Sequence, residues 1–159
     1  MNKKILLSVG IIIILAIAYW LISPLWMNVV LNEPLPINPS SSGDSSLMIK
    51  ENDEMPSNAI LSRGNMIARA HEVSGEALLV QDGGAMYLRF ENLKTINGPD
   101  LRIYLSADLN ANDFVDLGPI RATEGSVNYP IPVGTDIHKY KNAMIWCRAF
   151  SVLFSYAQL

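Results

Sequence analysis

The sequence predicts an all-β domain, an antiparallel β-sandwich or barrel, preceded by one N-terminal transmembrane helix and a Pro/Ser-rich tether. Three observations predict it. An uncharged run from Ile5 to Ile22 directly follows Lys3 and Lys4. A stretch poor in apolar residues, "NEPLPINPSSSGDSS", comes next. Beyond it, short runs of alternating polarity are separated by glycine, proline and aspartate, the punctuation of a sheet protein. The expected organisation is a signal-anchor segment over 1–31, a flexible tether over 32–56 and a β domain over 57–159.

The first element is read from length and charge. The 18 residues from Ile5 to Ile22 would span roughly 27 Å as a helix at ~1.5 Å per residue, close to the hydrocarbon thickness of a bilayer. Lys3 and Lys4 stay on the cytoplasmic side by the positive-inside rule, which leaves the rest of the chain extracytoplasmic. A cleaved signal peptide is the alternative, since Ala16 and Ala18 form a small-x-small site. Retention is favoured because "YWLISPLWMNVVL" stays apolar past that site, and Tyr19, Trp20 and Trp26 suit a membrane interface. Either reading exports the domain. The tether carries three prolines within residues 32–46 and has little apolar surface to bury, so it is expected to stay extended.

The strands follow in order. "GEALLVQDGGAMYLRFENL" places Asp82, Gly83 and Gly84 between two strand-like runs, with Met86, Leu88 and Phe90 alternating against Tyr87, Arg89 and Glu91. This predicts a hairpin. In "LRIYLSA", Leu101, Ile103 and Leu105 alternate with Arg102, Tyr104 and Ser106, after a turn supplied by Asn97, Gly98, Pro99 and Asp100, in which Asp100 caps through its side chain. Further strands are expected at Val115–Leu117, Val127–Ile131, Ala143–Ala149 and Ser151–Tyr156, and a helical turn at residues 135–140, "TDIHKY". Trp146 and Tyr129 read as core or rim aromatics.

Composition excludes several functions. Setting Lys3 and Lys4 aside leaves 10 basic and 15 acidic residues, a balance opposed to nucleic-acid binding, which selects basic patches. One cysteine, Cys147, rules out an iron-sulfur cluster, c-type haem attachment and a disulfide within the domain. A blue-copper set from His71, His138, Cys147 and Met144 has the wrong spacing, because histidine and methionine ought to follow the cysteine. No phosphate loop, G-x-S-x-G or H-E-x-x-H is present. "DLNAND" begins like a calcium loop but has Asp113 where glycine is required, and reads as a polar hairpin loop. No metal site is expected.

Period-2 alternation turns Ala143, Ile145, Cys147 and Ala149 to one face of their strand and Met144, Trp146, Arg148 and Phe150 to the other. Both faces are largely apolar, so the strand is expected to be central. Arg148 then points away from the sulfur, and an activated thiol needs a cation from another segment.

"SGEALL", "LRFENLKTINGPDLRIYLS", "VDLGPIRATEGSVNYPIP" and "KYKNAMIWCRAFSVLFSYAQL" resemble, in order and spacing, the DM-thirteen domain, an electron-transfer family of extracellular and membrane-anchored proteins. The resemblance covers Arg63 to Leu159. It implies that Cys147, the cysteine of the "WC" pair, is a redox centre, as a free thiol or as a ligand to a group such as haem. It also implies a cofactor-binding role for His71, a few residues before Ser74 and Gly75. Animal members carry the domain beside haem and cytochrome modules; this chain has neither, so its redox partner is expected to be a separate protein. Two functions follow. One is a membrane-tethered extracytoplasmic domain with an electron-transfer or thiol-redox role centred on Cys147, not a stand-alone enzyme. The other is a cell-surface structural or binding module in which Cys147 only packs, as free cysteines commonly do.

Overall fold

The computed structural model of the chain describes residues 3–22, 28–36 and 58–159. Helix α1, Lys3–Ile22, has no charged residue after Lys4; helical hydrogen bonds stay within the segment, so an apolar run forms it without outside polar partners. Its side chains are described from Ser8 to Tyr19. Among the described residues no helix is long and apolar enough to cross a membrane.

The remaining regular structure consists of strands: β1 Val30–Asn32, β2 Asn58–Asn65, β3 Ile67–Ala68, β4 Val73–Asp82, β5 Ala85–Thr95, β6 Leu101–Ser106, β7 Phe114–Pro119, β8 Glu124–Ile131, β9 Asn142–Cys147 and β10 Val152–Gln158. They form two five-stranded sheets, ordered β1-β8-β5-β4-β2 and β3-β10-β9-β6-β7. The result is a sandwich rather than a barrel. Its core interleaves Leu79, Leu88, Phe90, Val127 and Tyr129 of the first sheet with Leu101, Ile103, Leu105, Ile145 and Phe154 of the second, as two half-apolar sheets require.

Local sequence explains much of this. Asp82 pairs with Ala85 across Gly83 and Gly84, both at positive φ, which a two-residue loop between twisted strands demands. The alternation in β5 and β6 puts Leu88 and Phe90, then Leu101, Ile103 and Leu105, into the core as expected. Strand β9 lies between β6 and β10 and is central. It ends at Cys147, however, and not at Ala149. Arg148, Ala149 and Phe150 form the turn into β10 and are exposed, because Ser151 takes a positive φ of 53° that reverses the chain.

The start of the domain differs most from the composition-based expectation. Residues 28–36, placed across the end of the anchor and the start of the tether, form an arm on the first sheet. Val30, Leu31 and Asn32 run parallel to Glu124, Gly125 and Ser126 of β8. Arg89, expected on a polar face, is only 5 % exposed and donates from one guanidinium nitrogen to the carbonyls of Glu33 and Pro34, each at 3.1 Å. Glu33 pairs with Arg121 and accepts from the Asn128 amide at 2.7 Å. Together with the Glu91 carboxylate, which accepts from Arg89 Nε at 2.8 Å, and Asn128 Oδ1, also at 2.8 Å, the arm satisfies a buried cation that alternation alone leaves unexplained. Residues 37–56 of the expected tether lie outside the described residues, and they connect β1 to β2 in sequence.

At one end of the sandwich, Asp108 Oδ1 accepts from the amide of Asn110 at 2.7 Å and Oδ2 from that of Asp113 at 3.2 Å. "DLNAND" is therefore a self-capped polar loop. Residues 135–140 hold one turn, in which Asp136 Oδ1 accepts from the His138 and Lys139 amides.

Candidate redox site at the 97–100 turn

Cys147 is the last residue of β9, paired with Leu101 of β6 and Val152 of β10. Its side chain belongs to the core cluster between the sheets, and its exposure is 0 %. The thiol donates to the Pro99 carbonyl at 3.2 Å, so the buried sulfur has a polar partner and is packed by core residues. The adjoining turns are clamped together. The Arg148 amide donates to the Asp100 carbonyl at 3.1 Å and its guanidinium Nε to Asp100 Oδ2 at 2.6 Å. Arg148 is thus committed to Asp100 and not to the sulfur, as alternation predicted. The Asp100 side chain does not cap its own turn. That role falls to Asn97, whose Oδ1 accepts from the Gly98 amide at 2.9 Å, while Asp100 sits at a positive φ of 55° and reaches across to Arg148.

His71 follows β3. Its amide donates to the Phe154 carbonyl at 3.4 Å, and its ring stacks at a tilt on Phe154, centroids 4.1 Å apart. An open, apolar groove of about 310 Å³ lies there, lined by His71, Ile96, Asn97, Gly98, Pro99, Phe150, Val152 and Phe154. The structure therefore brings His71 and Cys147 to the same end of the sandwich, on two sides of one turn. Pro99 lines the groove and holds the thiol through its carbonyl. The sulfur itself does not line the groove.

A haem held through Cys147 does not fit these residues. The sulfur is closed off by Pro99 and already engaged, so an iron in the groove has no sulfur to meet. The copper set is not assembled either: His138 lines a separate groove with Leu61, Lys141 and Leu159, beyond the opposite end of β9, and Met144 is buried outside the core cluster. Among the described residues no three of histidine, cysteine, aspartate and glutamate gather closely enough for a metal.

The outer face of the second sheet holds an aromatic row. Tyr104 stacks on Phe114 at 4.1 Å between centroids and faces Trp146 at 6.4 Å; Trp146 is thus a rim aromatic. Tyr129 is in the core, where its hydroxyl accepts from the Arg121 amide at 2.9 Å, and burial pushes its pKa up to about 12. Pro99, Phe150 and Phe154 were not singled out as site residues. The Gly98-Pro99-Asp100 turn marked the place, but only strand pairing puts β10 and the 148–151 turn beside it.

The family model described as electron transfer DM13 matches residues 65–159, which takes in every strand from β3 to β10. Nothing among curated proteins or solved structures matches the chain. The chain belongs to the electron transfer DM13 family.

Proposed function

We propose that this chain is a membrane-tethered extracytoplasmic electron-transfer domain in which Cys147 is the redox group and a separate protein supplies or removes the electron. The observation that carries the reading is convergence: Cys147 and His71, far apart in sequence, meet on opposite sides of the Asn97–Asp100 turn. Pro99 both lines the groove and holds the thiol through its carbonyl, so a partner or oxidant seated in the groove reaches the sulfur by displacing that turn. The anchor is the apolar segment 5–22, with the domain outside the cytoplasm; the uncharged run behind Lys3 and Lys4 supports this. His71 forms the groove wall through its stacking on Phe154.

A second reading has its own support. A thiol with 0 % exposure and a satisfied hydrogen bond is also what a packing cysteine looks like, and the domain then serves as a cell-surface binding module. Paired substitutions separate the two. Cys147→Ala is expected to cost on the order of 1 kcal/mol, and Cys147→Ser roughly 1 to 3 kcal/mol, measured by chemical unfolding. The redox reading further expects both folded variants to lose reversible oxidation, followed by mass spectrometry and voltammetry of the full chain in detergent. Unchanged electron uptake in folded Cys147→Ala removes Cys147 from the mechanism.

A further inference from the structure

The strands fix which end of the sandwich the chain enters. Val30 pairs with Glu124, the first residue of β8, and Lys94 at the end of β5 pairs with the same residue. Asn28 shares a shallow pocket with Lys94, Thr95 and Ile96. Ile96 also lines the groove beside His71 and Phe150. The point of entry from α1 and the mouth of the groove are therefore neighbours. Since β1 is docked, the link between helix and domain is only residues 23–27, and six Cα steps from Ile22 to Asn28 reach at most about 22 Å. The long Pro/Ser-rich stretch comes after the docking point and adds nothing to that reach.

This end carries a cluster of exposed apolar side chains, Val29, Ile96, Val152 and, at 70 % exposure, Phe150, whereas at the far end the exposed Ile60, Phe114 and Val133 belong to three separate segments. A cluster of this kind around a groove marks an interaction surface. The charges differ between the ends as well. Near the groove and chain entry Arg69, Lys94, Arg121 and Arg148 stand against Glu33, Glu72, Asp100 and Glu124, whereas the far end carries Asp82, Asp108, Asp113 and Asp136 against Lys139 and Lys141. The groove end is the less acidic one, and a lipid surface with anionic headgroups repels it least.

We infer that the groove end of the sandwich seats on the outer surface of the lipid bilayer, with Phe150 and Ile96 at headgroup depth and the 132–141 end pointing away. The inference rests on the anchor reading proposed above. It means that the groove beside Pro99 opens toward the bilayer, so that what reaches Cys147 through it arrives along the membrane.

The test places a nitroxide at position 150 (Phe150→Cys) or 96 (Ile96→Cys), with Val133→Cys at the far end as reference, since Val133 is fully exposed. Each is made in full-length Cys147→Ala and again in the wild-type background, where the buried Cys147 stays unlabelled. The protein is reconstituted in phosphatidylcholine vesicles containing phosphatidylglycerol and washed with carbonate. The expected result is several-fold lower access of a polar nickel complex, and higher access of oxygen, at 150 and 96 than at 133. Equal access at all three sites in protein that survives the wash overturns the seating and leaves the anchor standing. Loss of the chain in the wash overturns the anchor and the seating together. Shielding at 150 from both reagents, with spin-spin coupling that grows with protein density, identifies a second copy as the occupant and also overturns the seating.

Discussion

Tyr129 shows how one buried hydroxyl ties stability to pH. Its ring meets Phe90 edge-on at 5.9 Å, and its oxygen accepts from Arg121; burial is the main reason its pKa rises from near 10 to about 12. The folded state keeps this proton longer than the unfolded chain does. The corresponding stability is fully present below pH ~10 and is lost as pH rises through about 12, roughly 3 kcal/mol at most for a two-unit shift. Tyr129→Phe is expected to cost about 1 kcal/mol at neutral pH, because the Arg121 amide loses its acceptor, and to flatten the alkaline fall. Urea unfolding between pH 8 and 12 checks both. Cys147 differs in kind: its hydrogen bond to Pro99 is a feature of the site as well as of the core, so stability alone does not reveal its role.

At the scale of elements, β1 depends on one position. Gly125 has a φ of +109°, and a Cβ there would overlap the Leu31 carbonyl; an L side chain both strains the backbone and pushes the arm off β8. Gly134 also has a positive φ, of +85°, but open space around it. Gly125→Ala and Gly134→Ala are thus both expected to lose about 1 to 3 kcal/mol to backbone strain. Only Gly125→Ala is expected to speed hydrogen exchange at the Glu33 amide, which donates to the Ser126 carbonyl at 2.8 Å. The opposite end offers a pH-dependent contact. Lys139, at 2.7 Å, and then the Tyr140 hydroxyl hold the Asp113 carboxyl below its ordinary range. A lowered folded-state pKa means that the contribution is present above the ordinary carboxylate pKa and is lost as pH falls through the folded value. The protection of the Lys139 and Tyr140 amides relative to their intrinsic exchange rate is therefore expected to fall in acid, and Asp113→Asn is expected to produce the same loss of protection at neutral pH.

For the molecule as a whole, the arm sets where a folding unit must begin. A fragment starting at Lys50 keeps both sheets except β1, yet leaves Arg89 without the Glu33 and Pro34 carbonyls and Arg121 without Glu33. A fragment starting at Asn28 keeps them. Both are expected to give a β-dominated far-ultraviolet spectrum. The longer one is expected to be more stable by about 2 to 5 kcal/mol, since several hydrogen bonds to charged groups are restored. Thermal and urea unfolding of the pair measure the difference, and equal stability would mean that the arm adds nothing to the folded state.

What the sequence determined by itself is local and periodic. The Asp82-Gly83-Gly84 hairpin, the inward sets of β5 and β6, the central place of β9 and the family resemblance from "NGPDLRIYLS" and "IWCRAFSVLF" follow from alternation, turn chemistry and motif spacing, which neighbouring residues encode. Alternation even set Cys147 and Arg148 on opposite faces of their strand. What only the tertiary structure decided depends on pairings across long separations. Val30–Asn32 is a strand because β8 offers it an edge, although its composition reads as the end of an anchor and the start of a tether. Arg89 is buried because that arm covers it, and β9 stops at Cys147 because the Ser151 reversal starts β10 there. Cys147 and His71 share a turn because β10 binds both β9 and β3. A pairing of that kind is a property of two surfaces at once, and no single stretch of sequence contains it.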